Sequence, residues 1–299
     1  MSECPITLFT PTYNRADKLP RLRESLLSQT ILSFEWLIVD DGSTDDTDRI
    51  VRSWMASAPF EIRYIRQRSR GKHVAHNRAA VEACGQYFLC VDSDDWLEPD
   101  AVETILADLA PLDESEGLIY PKLFAGHASS EQPWLAQSVD RIELADMRMR
   151  YGLVLETAIV FKTNVLRRHP FPVVAGEKYM PEESAYYDFI APELFKVSPH
   201  AFYRCEYLRD GLTSNIWSNW ASNPNGTRLA LQKRYETAKR YSSPLSIREK
   251  ISAVAGIESL NLALGRAPFF ATPGSRIFSF SVLPLAAALC RKRFGDTNR

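Results

Sequence analysis

The chain has 299 residues, with 36 Lys+Arg against 37 Asp+Glu for a formal net charge of −1, and 45% hydrophobic and 24% charged residues. That profile belongs to an ordinary globular protein of one large domain or two closely packed ones, and the near-neutral balance argues against a dedicated nucleic-acid binder. Five cysteines (Cys4, Cys84, Cys90, Cys205 and Cys290) are widely spaced without a C-x-x-C pair, so buried reduced thiols are expected rather than a zinc site or a disulfide framework. The first residues lack the basic and apolar regions of a secretory signal, which points to the cytoplasm. The longest apolar run, Ile277 to Cys290, contains Pro284 and falls short of the ~20 residues that a spanning helix needs.

In chain order, Ile6-Thr7-Leu8-Phe9 reads as a buried strand, followed by a helix from about Asp17 with Leu19, Leu22, Leu26 and Leu27 on one face. Asp17 is the expected N-cap, with Pro20 in the first turn. Phe34 to Val39 predicts a second strand, and Ile50, Val51, Trp54 and Met55 mark a helix after the turn Gly42-Ser43-Thr44-Asp45. Ile62 to Ile65 predicts a third strand, Val74 to Ala83 a helix, and Tyr87 to Val91 a fourth strand that ends in Asp92-Ser93-Asp94-Asp95. Asp100 and Glu103 have capping-box spacing ahead of Val102, Ile105, Leu106 and Leu109. From about Gly117 the pattern loosens. Leu118 to Tyr120 and Ala158 to Phe161 are candidate strands of an α+β extension expected to close over the first half. Ser222 to Gly226 reads as a loop, and residues 227–265 as helices with Ile251, Val254, Ile257, Leu260 and Leu264 in a stripe.

Four apolar strands separated by helices in about ninety residues predict an α/β fold with a mostly parallel sheet covered on both faces, which binds ligands at the carboxyl ends of its strands. Three strands end in polar chemistry: Thr10-Pro11-Thr12-Tyr13-Asn14-Arg15, Asp40-Asp41-Gly42-Ser43 and Asp92-Ser93-Asp94-Asp95. A carboxylate cluster closing a buried strand needs a positive partner. Oxygen ligands without His or Cys at ligand spacing suit Mg²⁺ or Mn²⁺, which take one or two carboxylates plus substrate phosphates. A nucleotide phosphate is therefore the implied substrate. A carboxylate at Asp40 or Asp41 can accept from the imino N–H of a base, with Tyr13 against its ring. Asp45, Asp46 and Asp48 fit the favourable first turn of a helix instead. Lys72 follows Gly71 at a helix start, where backbone N–H groups favour an anion. His73 and His76 lack a third ligand for zinc.

These segments resemble the family 2 glycosyltransferases of the GT-A fold, in Pro11-Thr12-Tyr13-Asn14-Arg15, in Val39-Asp40-Asp41-Gly42-Ser43-Thr44-Asp45, in Gly71-Lys72-His73-Val74-Ala75-His76-Asn77, and in Gly85-Gln86-Tyr87-Phe88 leading to Asp92-Ser93-Asp94-Asp95. The resemblance implies a Rossmann-like nucleotide-diphospho-sugar transferase fold with a C-terminal helical extension. It divides the chain into a donor half (residues 1–116), an acceptor half (117–222) and an extension (223–299). The implied reaction is inverting transfer of a sugar from a nucleotide sugar, usually a UDP-sugar, to a hydroxyl. Pro11, Thr12, Tyr13 and Asp41 would hold the nucleoside. Arg15, Lys72, Asn77, Asp92 and Ser93 complete the implied donor set, and Asp92 and Asp94 form the D-x-D pair for Mn²⁺ or Mg²⁺. An inverting base is implied in Met180-Pro181-Glu182-Glu183-Ser184, at Glu182 or Glu183, with Glu182 favoured because similar members carry Pro-Glu. Glu206 to Asn215 looks like the closing segment of a bacterial subgroup.

No Gln-x-x-Arg-Trp motif of the processive synthases occurs, which favours single additions, and relatives of this size build surface polysaccharides on saccharide or lipid-linked acceptors. Residues 277–293, apolar and then basic at Arg291-Lys292-Arg293, suit a membrane interface on the inner face of the cytoplasmic membrane, packing onto the domain, or a contact between copies in a homo-oligomer. A nucleotidyltransferase would carry a Gly-rich loop after the first strand, which is missing here. A non-catalytic binding module on the same fold remains the rival from another class.

Overall fold

Every residue of Ile6–Thr12 (β1) and of Phe34–Asp40 (β2) is buried. Burial without alternation is what strands acquire when helices cover both faces of their sheet. The computed structural model describes residues 4–112, 117–125, 134–154, 156–206, 211–212, 214–267 and 275–295. After β1, the described elements run α1 (Leu19–Leu27), β2, α2 (Thr47–Met55), β3 (Glu61–Arg66), α3 (Lys72–Glu82), β4 (Tyr87–Cys90), β5 (Trp96–Leu97), α4 (Ala101–Leu109), β6 (Gly117–Phe124) and β7 (Arg141–Ile142). There follow α5 (Asp146–Met149), β8 (Thr157–Lys162), α6 (Thr163–Leu166), α7 (Glu183–Tyr186), β9 (Phe195–Val197) and β10 (Tyr203–Cys205). Four helices close the chain: α8 (Ile216–Ser222), α9 (Pro224–Ala238), α10 (Pro244–Ala263) and α11 (Ser275–Phe294).

These elements form two units of interleaved segments. The first contains residues 1–144, 154–171 and 189–206, and the second residues 145–153, 172–188 and 207–299. In the first, the described strands make one sheet in the order β3-β2-β1-β4-β8-β6-β10-β5, with β9 paired to β6 and β7 to β9. Strands β3, β2, β1 and β4 are parallel, while β8 runs antiparallel to both of its neighbours. The sheet is thus mixed, with its first four strands all parallel. The expected strands near Leu118 and Ala158 continue this sheet as β6 and β8 rather than closing over the first half as an extension. Its core joins Leu8, Trp36, Ile38 and Leu89 from the strands to Leu22 and Leu26 of α1 and Ile105 of α4.

Local expectations differ from the structure at the helix ends. Lys18, not Asp17, occupies the N-cap of α1 and Asp17 pairs with it, so the carboxylate caps nothing. Asp100 does precede α4 but makes no side-chain capping bond, and Glu103 accepts from Thr30 Oγ1 at 2.8 Å instead of reaching back. Residues 222–226 are a break between helices rather than a loop: Asn223 ends α8, and Pro224 opens α9 where its missing N–H costs nothing. Of the free cysteines only Cys205 is buried, and Cys84 is exposed.

The second unit contains the described helices α5 and α7 to α11. Trp220, Leu231, Ile257, Leu260 and Phe294 form one of its cores, with Trp217 against them. Helix α10 begins with a reciprocal capping pair, Ser246 N–H to Ser243 Oγ at 3.0 Å and Ser243 N–H to Ser246 Oγ at 3.2 Å. No helix of the described residues is long and apolar enough to cross a membrane.

Candidate functional site

Because β1 lies between β2 and β4, all parallel, the carboxyl ends of three neighbouring strands meet at one edge of the sheet. Pro11 and Thr12 end β1, and Tyr13 follows, half exposed. Asn14 then adopts φ +51°, a left-handed conformation that asparagine tolerates. Its N–H donates to Ser43 Oγ at 2.8 Å, and its Oδ1 accepts the Thr44 N–H at 2.7 Å. The Arg15 N–H donates to Thr47 Oγ1 at 3.3 Å, and the Ala16 N–H to Asp45 Oδ2 at 3.0 Å. The two turns are clasped together by side chains that serve the backbone. Asp45 is part of this clasp, while Asp46 and Asp48 pair with Arg49 and Arg52 on the surface of α2.

Asp40 is fully buried and accepts from the Ser43 N–H at 2.7 Å and from the Tyr64 hydroxyl at 2.5 Å. It fixes the turn at Gly42, whose φ of +90° favours glycine and where an added Cβ would come within 3.1 Å of Ser69 N. Asp41 faces the segment 67–71. Its carboxylate accepts from Gln67 Nε2 at 2.8 Å, from the Arg70 N–H at 2.9 Å and from the Gly71 N–H at 2.8 Å, with Ser69 Oγ at 3.3 Å. This bonding shapes the entrance to α3. Gly71, at φ +99°, is its N-cap, so Lys72 begins the helix with its amide dipoles aimed outward. Asn77 is fully engaged within the unit: its Nδ2 donates to the Phe171 carbonyl and its Oδ1 accepts the Phe171 N–H, both at 2.8 Å.

After β4 the turn Asp92–Asp95 turns back on itself, with the Asp95 N–H donating to the Asp92 carbonyl at 3.0 Å. Lys72 Nζ reaches Asp92 at 2.7 Å, and Lys122 Nζ lies 4.0 Å from Asp92 and 3.6 Å from Asp95. Burial opposes ionisation of Asp92, but the two lysines outweigh it and hold its carboxyl below the usual carboxylate range. Burial, then the charge of Asp92, pushes Asp94 up, with Arg15 and Lys72 pulling the other way. Burial likewise raises Asp95, to about 7, against the attraction of Lys122. Ser93 is buried. The Asp94 carbonyl accepts from Arg21, whose guanidinium lies 4.1 Å over the Trp96 ring and 2.9 Å from Glu206. No ion pair joins the Asp94 carboxylate among the described residues, which leaves a hard oxygen donor of the kind Mn²⁺ or Mg²⁺ takes.

Lys122 and Tyr203 were not expected. The Tyr203 hydroxyl accepts the Asp92 N–H at 2.9 Å and the Lys122 ammonium sits 4.0 Å from its ring centroid, so together they support the acidic turn. A single lysine in the otherwise apolar run Gly117–Phe124 was the available signal. Arg21 gave none, since it reads as an ordinary position on α1.

In the second unit Glu182 precedes the short helix α7 and is exposed, its carbonyl accepting the Ala185 and Tyr186 N–H groups. Glu183 is held instead: Arg234 of α9 donates to its two oxygens at 2.6 and 2.9 Å, and the side chains are 12% and 11% exposed. Asp188 pairs with Lys233, one residue along the same helix. Glu177 accepts the Gly226 N–H at 2.6 Å and the Asn225 N–H at 2.9 Å, and Asn223 Oδ1 accepts the Lys178 N–H at 2.7 Å. The chain on both sides of Glu182 is therefore tied to α9. Of the expected closing segment, Tyr207, Leu208, Arg209, Asp210 and Thr213 lie outside the described residues.

Comparison with known proteins agrees with this geometry. Residues 7–151 match the profile of glycosyl transferase family 2. The chain is 45% identical over 101 residues to chondroitin synthase of Escherichia coli, covering 34% of this chain and 15% of that protein. It is 35% identical over 127 residues to glycosyltransferase GlyA of Streptococcus pneumoniae, covering 38% and 18%. The chain thus spans less than a fifth of these relatives. Among solved structures, S. aureus TarS 1-349 in complex with UDP-GlcNAc aligns with a TM-score of 0.57 at 18% identity, over 86% of this chain and 81% of that one. The mannosyltransferase PcManGT of Pyrobaculum calidifontis, in complex with GDP-Man and Mn²⁺, aligns with a TM-score of 0.55 at 18% identity, over 95% and 86%. Residues 7–151 thus carry the match to glycosyl transferase family 2, and the mixed sheet with flanking helices is that of a GT-A fold.

Proposed function

We propose that the protein is an inverting glycosyltransferase that moves a sugar from a nucleotide-sugar donor, a UDP-sugar first, to a hydroxyl of a saccharide or lipid-linked saccharide in bacterial surface polysaccharide synthesis. The observation that carries this reading is the meeting of Pro11 to Arg15, Asp40 to Ser43 and Asp92 to Asp95 at the carboxyl ends of three adjacent parallel strands. In it, Pro11, Thr12, Tyr13 and Asp41 hold the nucleoside. Arg15, Lys72, Asp92 and Ser93 face ribose, sugar and diphosphate, and Asn77 positions α3 through Phe171 rather than touching the donor. Asp94, with Asp92, would hold Mn²⁺ or Mg²⁺, which when bound supplies Lewis-acid stabilisation of the departing diphosphate. Glu182 takes the acceptor proton. Glu183 is a poor base because both its oxygens already accept from Arg234. Residues 1–116 serve the donor and residues 117–222 the acceptor.

Thermal stabilisation by UDP, GDP, CMP, ADP and dTDP, each with and without Mn²⁺, tests the donor reading, since a ligand at ~100 times its dissociation constant adds about 2.7 kcal/mol. A metal-dependent response to one nucleotide, abolished in Asp94→Ala and weakened in Tyr13→Ala, is expected. Glu182→Gln should keep donor binding and lose transfer by about 10²-fold or more. Unchanged turnover in both Asp94→Ala and Glu182→Gln would overturn these residue roles, and a parent that binds a nucleotide but transfers no sugar would favour a non-catalytic module.

The extension, residues 223–299, supports a peripheral membrane contact on the inner face of the cytoplasmic membrane. Phe280 and Leu285 of α11 are 62% and 43% exposed, Pro284 and Ala288 are exposed beside them, and Arg291 and Lys292 follow at the end of the helix. Co-sedimentation with vesicles rich in phosphatidylglycerol, lost in Phe280→Asp, is the expected result. A dimer in sedimentation analysis, dissociated by the same substitution, would assign the face to a homo-oligomer.

A further inference from the structure

Lys122 is 8% exposed, yet it projects from a strand of the sheet toward carboxylates that the donor site needs free. Three aspartates (Asp92, Asp94 and Asp95) share one turn, and two ammonium groups already stand against them, Lys72 at 2.7 Å from Asp92 and Lys122 at 3.6 and 4.0 Å from Asp95 and Asp92. The two lysines are placed differently. Lys72 begins a helix and its side chain is 31% exposed, so it can turn from Asp92 to an incoming phosphate. Lys122 is held by the strand pairing that sets it opposite Tyr203 and by the ring 4.0 Å away, and it is 8% exposed.

We propose that Lys122 is a permanent buried counter-cation of the Asp92–Asp95 turn which, together with Lys72, makes divalent-metal binding depend on the nucleotide diphosphate. The inference rests on the donor site proposed above. A divalent ion arriving alone meets Asp94, the one carboxylate of the turn with no lysine within 4.0 Å among the described residues, and the repulsion of two ammonium groups. Such ions bind through one or two carboxylates together with substrate phosphates, so a single carboxylate holds them weakly. A diphosphate changes both conditions: it draws Lys72 away from Asp92 and brings oxygen ligands of its own. Metal and donor then enter as one unit, and the turn stays empty of metal between turnovers. Lys122 is in this sense a positioning residue, acting on the metal through Asp92 and Asp95 without touching the donor.

The test is titration of the intact chain with Mn²⁺, followed by electron paramagnetic resonance, in the absence and presence of UDP. In the parent, UDP is expected to tighten Mn²⁺ binding at least tenfold. Lys122→Met is expected to tighten the binding of Mn²⁺ alone by tenfold or more and to shrink the UDP effect, an outcome that mere structural damage does not produce. Lys72→Met alters a partly exposed side chain and keeps the test readable if Lys122→Met does not fold: it should tighten Mn²⁺ alone while weakening UDP. Mn²⁺ binding that is equally strong with and without bound UDP in the parent, or unchanged or weaker in Lys122→Met, would overturn the proposal. Failure of every nucleoside diphosphate to bind in any metal condition would instead remove the donor reading on which it rests.

Discussion

His76 sits among aromatic rings, 5.0 Å from Phe171, 5.2 Å from Phe88 and 5.6 Å from Phe9 by ring centroids, and its Nε2 has no hydrogen-bond partner among the described residues. Burial, then the neighbouring charge of Lys72, pushes its pKa down to about 3, with Asp92 opposing. The native state therefore keeps His76 neutral where the unfolded chain, with a value near about 6.5, has taken up a proton. Its influence on stability is absent above that value, and the protein loses up to about 1.4 kcal/mol per pH unit as pH falls from there toward 3. His73, also buried and lowered by burial, adds to the same acid limb. Urea midpoints measured between pH 7 and 4.5 should fall less steeply in His76→Leu than in the parent. At this scale the sequence shows that Asp92 and Asp94 share one turn at the end of a strand, because they are two positions apart after an apolar run. It was not readable at Lys122, whose partners lie 27 and 30 residues upstream and meet it only through the sheet. The ambiguity between Glu182 and Glu183 had the same origin, because the arginine that engages one of them comes from a distant helix.

Among elements, α9 carries unusual weight, since its first turn, Lys233 and Arg234 all hold the chain around α7. A four-residue helix has too few internal bonds to persist alone, so α7 depends on these ties. Arg234→Met should destabilise the protein by about 3–5 kcal/mol by stranding a buried carboxylate, whereas Glu183→Met combined with Arg234→Met should recover most of the loss. Denaturant midpoints of the single and double variants check this. If α7 positions the base, Arg234→Lys should also lower turnover more than donor affinity, because one ammonium cannot reproduce a forked contact. The first six strands and helices were legible because each has its own apolar period and a polar stop. Ends were less so: Asp17 and Asp100 have the right chemistry for caps, but Asp17 lies one residue before the N-cap and pairs with Lys18, and the Asp100 side chain makes no capping bond. The middle strands, expected in an α+β extension closing over the first half, pair into the same sheet because strand order depends on pairing at long range, which no local pattern encodes.

For the whole molecule, the family match to residues 7–151 stops short of a foldable unit. Strand β8 begins at Thr157, beyond the match, and it is the strand through which β4 and β6 are joined. A fragment ending at residue 151 should lack a cooperative unfolding transition and bind an exposed-hydrophobe dye, while the full chain unfolds sharply; calorimetry distinguishes the two. Strand β8 also has a consequence in time. Ribosomes add about 5–20 residues per second, so the stretch between Cys90 at the end of β4 and Thr157 takes roughly 3–13 seconds to appear. For that interval the nascent protein presents a row of unpaired amides beside Phe88 and Leu89, the kind of edge to which other chains add. Synthesis of this protein thus contains a built-in waiting period in which its future centre is an open border, and its yield in a cell should depend on how well that border is shielded until the missing strand arrives.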